Sequence, residues 1–167
     1  MKQKIFAGLL AGLMLISLAG CGNKKGGNTL KEGKTLQNMA DQVVSEVGFE
    51  EPGDVDEQLL SSVYGIDMET VDTFAGKTCM SAISSDNFIA IQAKEGKADT
   101  VKKALEEKME GIKADFKDYV PAEKVKADAG KILVKGDYVF LIILGNDKLS
   151  NEEAVKKGEE IVNSYFA

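Results

Sequence analysis

Ile132-Leu133-Val134-Lys135-Gly136-Asp137-Tyr138-Val139-Phe140-Leu141-Ile142-Ile143-Leu144 is the stretch that decides the fold. Two β-rich runs flank a two-residue connection, with glycine where a type II′ turn needs positive φ, so the stretch predicts a β-hairpin. The second run, Phe140-Leu141-Ile142-Ile143-Leu144, is apolar at both parities. A strand with one wet face alternates, so this one belongs at the centre of a sheet with both faces covered.

Working upstream, Phe74, Gly76, Thr78 and Met80 alternate with Thr73, Ala75, Lys77 and Cys79. After a polar turn, Ser84-Ser85-Asp86-Asn87, comes Phe88-Ile89-Ala90-Ile91, which predicts a second hairpin. Between the hairpins Val101, Leu105, Met109, Ile112 and Phe116 form an apolar helical stripe. Asp99 suits the positive end of that helix, and Tyr119-Val120-Pro121 is expected to stop it. Nearer the start, Leu36, Met39, Ala40, Val43, Val44 and Val47 share one helical face, with Gly48 at the cap position. Pro52-Gly53-Asp54 breaks the chain, and Asp54 with Glu57 resembles a cap before a short helix carrying Leu59, Leu60, Val63 and Tyr64. Asp67 to Val71 adds a further turn. At the other end Ser150 and Glu153 make a capping-box pattern before Ala154, Val155, Ile161 and Val162. The expected order is α-α-β-β-α-β-β-α. It predicts one α+β domain over residues 35–167, with two hairpins in a mostly antiparallel four-stranded sheet and helices packed on it.

Residues 1–20 have the arrangement of a secretory signal. Lys2 and Lys4 precede an apolar run over residues 5–18, and Ala19-Gly20 are small enough for a peptidase cleft. The run stops short of the roughly 20 apolar residues that a membrane helix needs. Leu18-Ala19-Gly20-Cys21 resembles a bacterial lipobox, which implies cleavage between Gly20 and Cys21 and a diacylglyceryl group on the Cys21 thiol. Each buried methylene contributes about 0.8 kcal/mol, so two chains anchor where one holds marginally. Residues 21–34, rich in glycine and lysine, then read as a flexible tether. The expected location is the cell membrane, lipid-anchored and facing outside the cytoplasm.

Composition narrows the chemistry. The formal charge is −6, and loss of Lys2 and Lys4 makes it more negative by two, the opposite of a nucleic-acid footprint. All 21 basic residues are lysines, and the chain has no His and no Trp. The bidentate guanidinium, the near-neutral proton shuttle and the commonest metal ligand are therefore missing. No cofactor, metal or nucleic-acid partner is expected. Of two cysteines, Cys79 has no intramolecular partner once Cys21 is acylated, and its strand context reads as a half-buried small apolar residue. Gly53-Asp54-Val55-Asp56 lacks the alternating ligands of a calcium loop. Asp86-Asn87 and Asp137 suit turns, and Lys102-Lys103, Lys124, Lys126 and Lys156-Lys157 read as solvated surface. Aromatic residues at element ends are mostly packing residues. Tyr119, beside Pro121, is the candidate ligand-facing residue.

The succession Val63-Tyr64-Gly65-Ile66-Asp67, Phe88-Ile89-Ala90-Ile91-Gln92-Ala93-Lys94, Val101-Lys102, Phe116-Lys117-Asp118-Tyr119-Val120-Pro121 and Gly136-Asp137-Tyr138-Val139 resembles an uncharacterised domain-of-unknown-function family of Gram-positive membrane lipoproteins. The resemblance runs from about Leu36 to the C-terminus and departs at Asn87, where an acidic residue is expected. It implies a lipid-anchored single domain and carries no catalytic residues. The expected function is a non-catalytic interaction or accessory module of the cell envelope, binding an envelope protein or a wall component. The alternatives are a small-ligand or wall-component receptor and a wall-polymer hydrolase working through paired carboxylates, which needs no His.

Overall fold

The computed structural model describes residues 28–167. The expected signal segment, the expected cleavage position at Gly20 and Cys21, and the expected lipid position at Cys21 lie outside the described residues.

β5 (Tyr138–Ile143) is buried at every position. Its side chains alternate between two cores: Tyr138, Phe140 and Ile142 enter one, Val139, Leu141 and Ile143 the other. The first core is closed by α1 (Leu36–Val47) and α5 (Asn151–Ser164), the second by α2 (Glu57–Ser62), α3 (Ala98–Phe116) and α4 (Pro121–Ala129). A continuously apolar strand is what a sheet covered on both faces requires.

The remaining strands are β1 (Pro52–Asp54), β2 (Val71–Cys79), β3 (Asn87–Ala93) and β4 (Lys131–Lys135). They are ordered β1-β2-β3-β5-β4, and every neighbouring pair is antiparallel. The α+β class therefore holds, but the sheet has five strands rather than four. The extra strand is β1, whose Pro52-Gly53-Asp54 has the composition of a breaker. It pairs with the outer edge of β2, a position where a proline's missing N–H is tolerated. β3 pairs with β5, joining the two hairpins into one sheet.

Local chemistry explains most element ends. Thr35 caps α1 by accepting from the Asn38 N–H, and Gly48 follows with φ of +94°. Asp56, not Asp54, caps α2, while Asp54 lies in β1. The turn over Asp67 to Val71 is a single 3-10 turn, Met68–Thr70. Ser150 and Glu153 form the expected capping box. Gly136 takes φ of +58° in the β4–β5 turn, as its sequence position requires. Pro121 occupies the first turn of α4 and opens that helix, while α3 ends at Phe116, ahead of the Tyr119-Val120-Pro121 expected to stop it.

The last part of the expected tether is tied to the domain. Leu30 bridges Phe166, the Lys31 N–H donates to Tyr165 O over 2.9 Å, and the Ala167 N–H donates to Thr29 O over 3.1 Å. Leu30 is half-buried against the first core, whose aromatic members Phe166 and Tyr138 meet edge-on at 5.0 Å. Residues 29–31 are thus attached to the C-terminal segment by backbone pairing, with Leu30 alone of the three half-buried.

The sheet has two distinct ends. At the turn pole lie Gly136, Asp137 and Asn28, the last packed against Gly136. At the loop pole lie the β2–β3 loop, the α3–α4 junction, the end of α1 and the start of α5. There Asn87 pairs with Ile143, and the Asn146 side chain donates to Val47 O.

Candidate functional site

The β2–β3 loop ends in Ser84-Ser85-Asp86-Asn87, a composition that suits a wet turn. In the fold all four are buried, Asp86 to 1% exposure. Burying four polar residues is costly unless each finds a partner, and α4 supplies most of them. Glu123 Oε2 accepts the Ser85 N–H at 2.7 Å and lies 3.0 Å from Ser85 Oγ and 3.3 Å from Ser84 Oγ. Lys126 Nζ stands 2.9 Å from Glu123 Oε2, 3.1 Å from Asp86 Oδ1 and 3.1 Å from Ser84 Oγ. The other Asp86 oxygen accepts the Glu50 N–H at 3.0 Å. Oδ1 faces the ammonium without an aligned hydrogen bond.

On the other side of the loop, Asn87 Oδ1 accepts from the Tyr64 hydroxyl and from Thr78 Oγ1, the latter at 3.2 Å. Asn87 Nδ2 donates to Ser85 O at 3.0 Å. The loop is thus clamped between α4 and β2 by its own side chains.

The charges of this cluster are held in place. Burial pushes the Glu123 carboxyl up, but the Ser85 N–H and Lys126 outweigh it and hold the group below the usual glutamate value. Burial likewise pulls the Lys126 ammonium down, and Asp86 and Glu123 outweigh it, leaving its pKa raised. Burial drives the Tyr64 phenol up to about 12. An ionised, hydrogen-bonded Glu123 is a poor proton donor, unlike the raised carboxyl that acid catalysis uses.

Two clefts open on either side of the clamped loop. One, of about 410 Å³, has Asp86 and Lys126 at its base and Phe49, Glu50, Glu123 and Asn151 among its walls. The other, of about 450 Å³, lies between β2 and the end of α3, lined by Tyr64, Thr78, Lys108, Ile112, Phe116 and Tyr119. Its rim carries Val63 at 45% exposure and Tyr119 at 66%, with Ile83 at 52% on the adjoining loop. A third hollow of about 440 Å³ separates the end of α1 from Asn146 and Lys157. All three open at the loop pole.

The sequence-derived candidates are dispersed among these features. Tyr119 lies on the rim of the second cleft. Cys79 ends β2 half-buried, its Sγ 3.3 Å from Ser81 Oγ. Asp137 stays at an exposed turn tip, whereas Asp86 does not, which corrects its reading as a turn residue. Lys126 is buried, which corrects its reading as solvated surface. Asp54 pairs with Lys77 at 2.7 Å, away from both clefts. Among the described residues, no group of three or more Cys, Asp or Glu is placed to hold a metal ion, and no helix is long and apolar enough to cross a membrane. Sequence reading missed Glu123, Lys126 and the Tyr64–Asn87 contact. The available signal was Glu123 and Lys126 three residues apart on one face of a helix opened by Pro121.

Residues 45–144 match the family model of a domain of unknown function, DUF4358. No curated protein and no solved structure matches the chain.

Proposed function

The chain belongs to the DUF4358 family, and within it we propose that this protein is a non-catalytic interaction module of the cell envelope, lipid-anchored through Cys21 outside the cytoplasmic membrane of a Gram-positive cell. The observation that carries the binding part is the second cleft. Val63 and Tyr119 stand exposed on its rim, with Ile83 on the adjoining loop, beside the hydrogen-bonded Tyr64, Thr78 and Asn87, a surface shaped for contact. Asp86 and Glu123, two of the carboxylates that line the first cleft, are engaged by Lys126, Ser85 and the Glu50 N–H, which leaves them positioning the loop. The lipid anchor rests on Leu18-Ala19-Gly20-Cys21. The partner is an envelope protein or a wall component.

A second reading, a small-ligand receptor, is favoured by the cleft volume of about 450 Å³, which falls in the range of ligand pockets. A photo-crosslinking residue at Tyr119 of the lipidated protein, activated in intact cells, separates the two. The interaction module predicts a discrete macromolecular adduct at Tyr119 and none from the same group at Val134. A small-molecule adduct at Tyr119 would instead support the receptor, and no adduct would overturn both.

A further inference from the structure

The described chain begins at the opposite end of the sheet from the clefts. Asn28 sits on the β4–β5 turn so closely that a Cβ on Gly136 would lie 2.9 Å from the Asn28 Cβ. The following residues hydrogen-bond to the C-terminus beside that turn. From Gly136 the chain runs through β5 to Gly145. Those nine steps span about 30 Å at strand spacing; the first and third clefts reach Gly145 or the residues just past it, and the second lies level with Ile143, the partner of its lining residue Asn87. Cys21 and Asn28 are seven peptide steps apart. Whatever its conformation, a chain of that length reaches at most about 25 Å.

These lengths restrict how a domain held at Cys21 can stand. With the loop pole against the lipid, Asn28 would stand about 30 Å from the bilayer, farther than the connecting residues reach. We infer that the protein stands on the bilayer by its turn pole and presents the three clefts away from the lipid. This inference rests on Cys21 lipidation. It also narrows the partner, because an outward loop pole fits a water-exposed partner beyond the bilayer and not the mouth of a membrane-embedded transporter. Among the described residues, five of the six large apolar residues that stand exposed, namely Val63, Met80, Ile83, Tyr119 and Val125, belong to the loop-pole half, which gives that outward surface its contact area.

The test uses the full lipidated protein in phosphatidylcholine vesicles containing a rhodamine-headgroup lipid. In a Cys79→Ser background, a thiol donor dye is placed at Asp137→Cys on the turn pole or Tyr119→Cys on the loop pole, both exposed positions. The expected result is that both proteins sediment with vesicles and energy transfer from position 137 exceeds that from 119 severalfold at every acceptor density. Equal transfer, or greater transfer from 119, overturns the inferred orientation while leaving the anchor intact. If neither protein sediments with vesicles, the anchor fails and the orientation with it.

Discussion

Lys126 Nζ and Asp86 Oδ1 lie 3.1 Å apart, joining α4 to the β2–β3 loop where Asp86 is 1% exposed. Through this pair a polar nine-residue helix is bound to the end of the central sheet, and the walls of two clefts are set by one loop. Removing one partner of a buried pair leaves the other charge uncompensated, which costs about 3–5 kcal/mol. Lys126→Met is therefore expected to lower unfolding stability by that amount in urea titration. Lys126→Met with Asp86→Asn should recover part of the loss, because one of the two carboxylates left without their ammonium, Asp86 and Glu123, is gone.

The Glu123 carboxyl sets an acid limit. Its folded pKa lies below its unfolded value, so its contribution is present above the ordinary glutamate range, near pH 4.3–4.5, and is lost as pH falls through the folded value. Lys126 behaves oppositely: its folded pKa is raised, so its contribution is complete below about pH 10.4 and disappears as pH climbs past the folded value. Glu123→Gln is expected to flatten the stability profile below about pH 4.5. An unchanged acid limb in thermal melts across that range would refute the assignment.

Tyr64 gives a spectroscopic handle on the same loop. Its phenol, buried beneath Lys108 and hydrogen-bonded to Asn87, is expected to ionise at about 12. Ultraviolet titration of the native protein should show a late phenolate step, and Tyr64→Phe should remove it.

Placement of β5 between two cores makes a prediction that an edge strand would not meet. Phe140 and Leu141 are both fully buried, on opposite faces. Phe140→Ala should cost about 3–5 kcal/mol and Leu141→Ala about 2–5 kcal/mol. Val134→Ala on β4, 40% exposed, should cost under about 1 kcal/mol. The two large losses should add to within a few tenths of a kcal/mol only if the two cores relax independently.

The layered plan was legible because apolar periodicity is strong where burial is strong. Val43 and Val47 on α1, Leu105 on α3 and the two-sided run of β5 each carry that signal, and each lies in a core. β1 was not legible, since Pro52 and Gly53 lack the residue types that mark a strand and pair only at an edge. α4 hid for a related reason. Lys124 and Asp128 look like solvent-facing charge, and in the sequence Glu123 and Lys126, which turn inward, differ from them only in their three-residue spacing. The loop-pole cluster was unreadable because its satisfaction is long-range: Ser85 and Glu123 are 38 positions apart. Only the folded chain shows that these side chains complete one another.

The claim on which location, orientation and partner class all depend is acylation of Cys21, and the most direct test is the intact mass of the membrane-extracted protein. The expected result is a mass lacking residues 1–20 and carrying a diacylglyceryl group on an N-terminal Cys21. An unmodified N-terminus that begins after Cys21 would contradict the account.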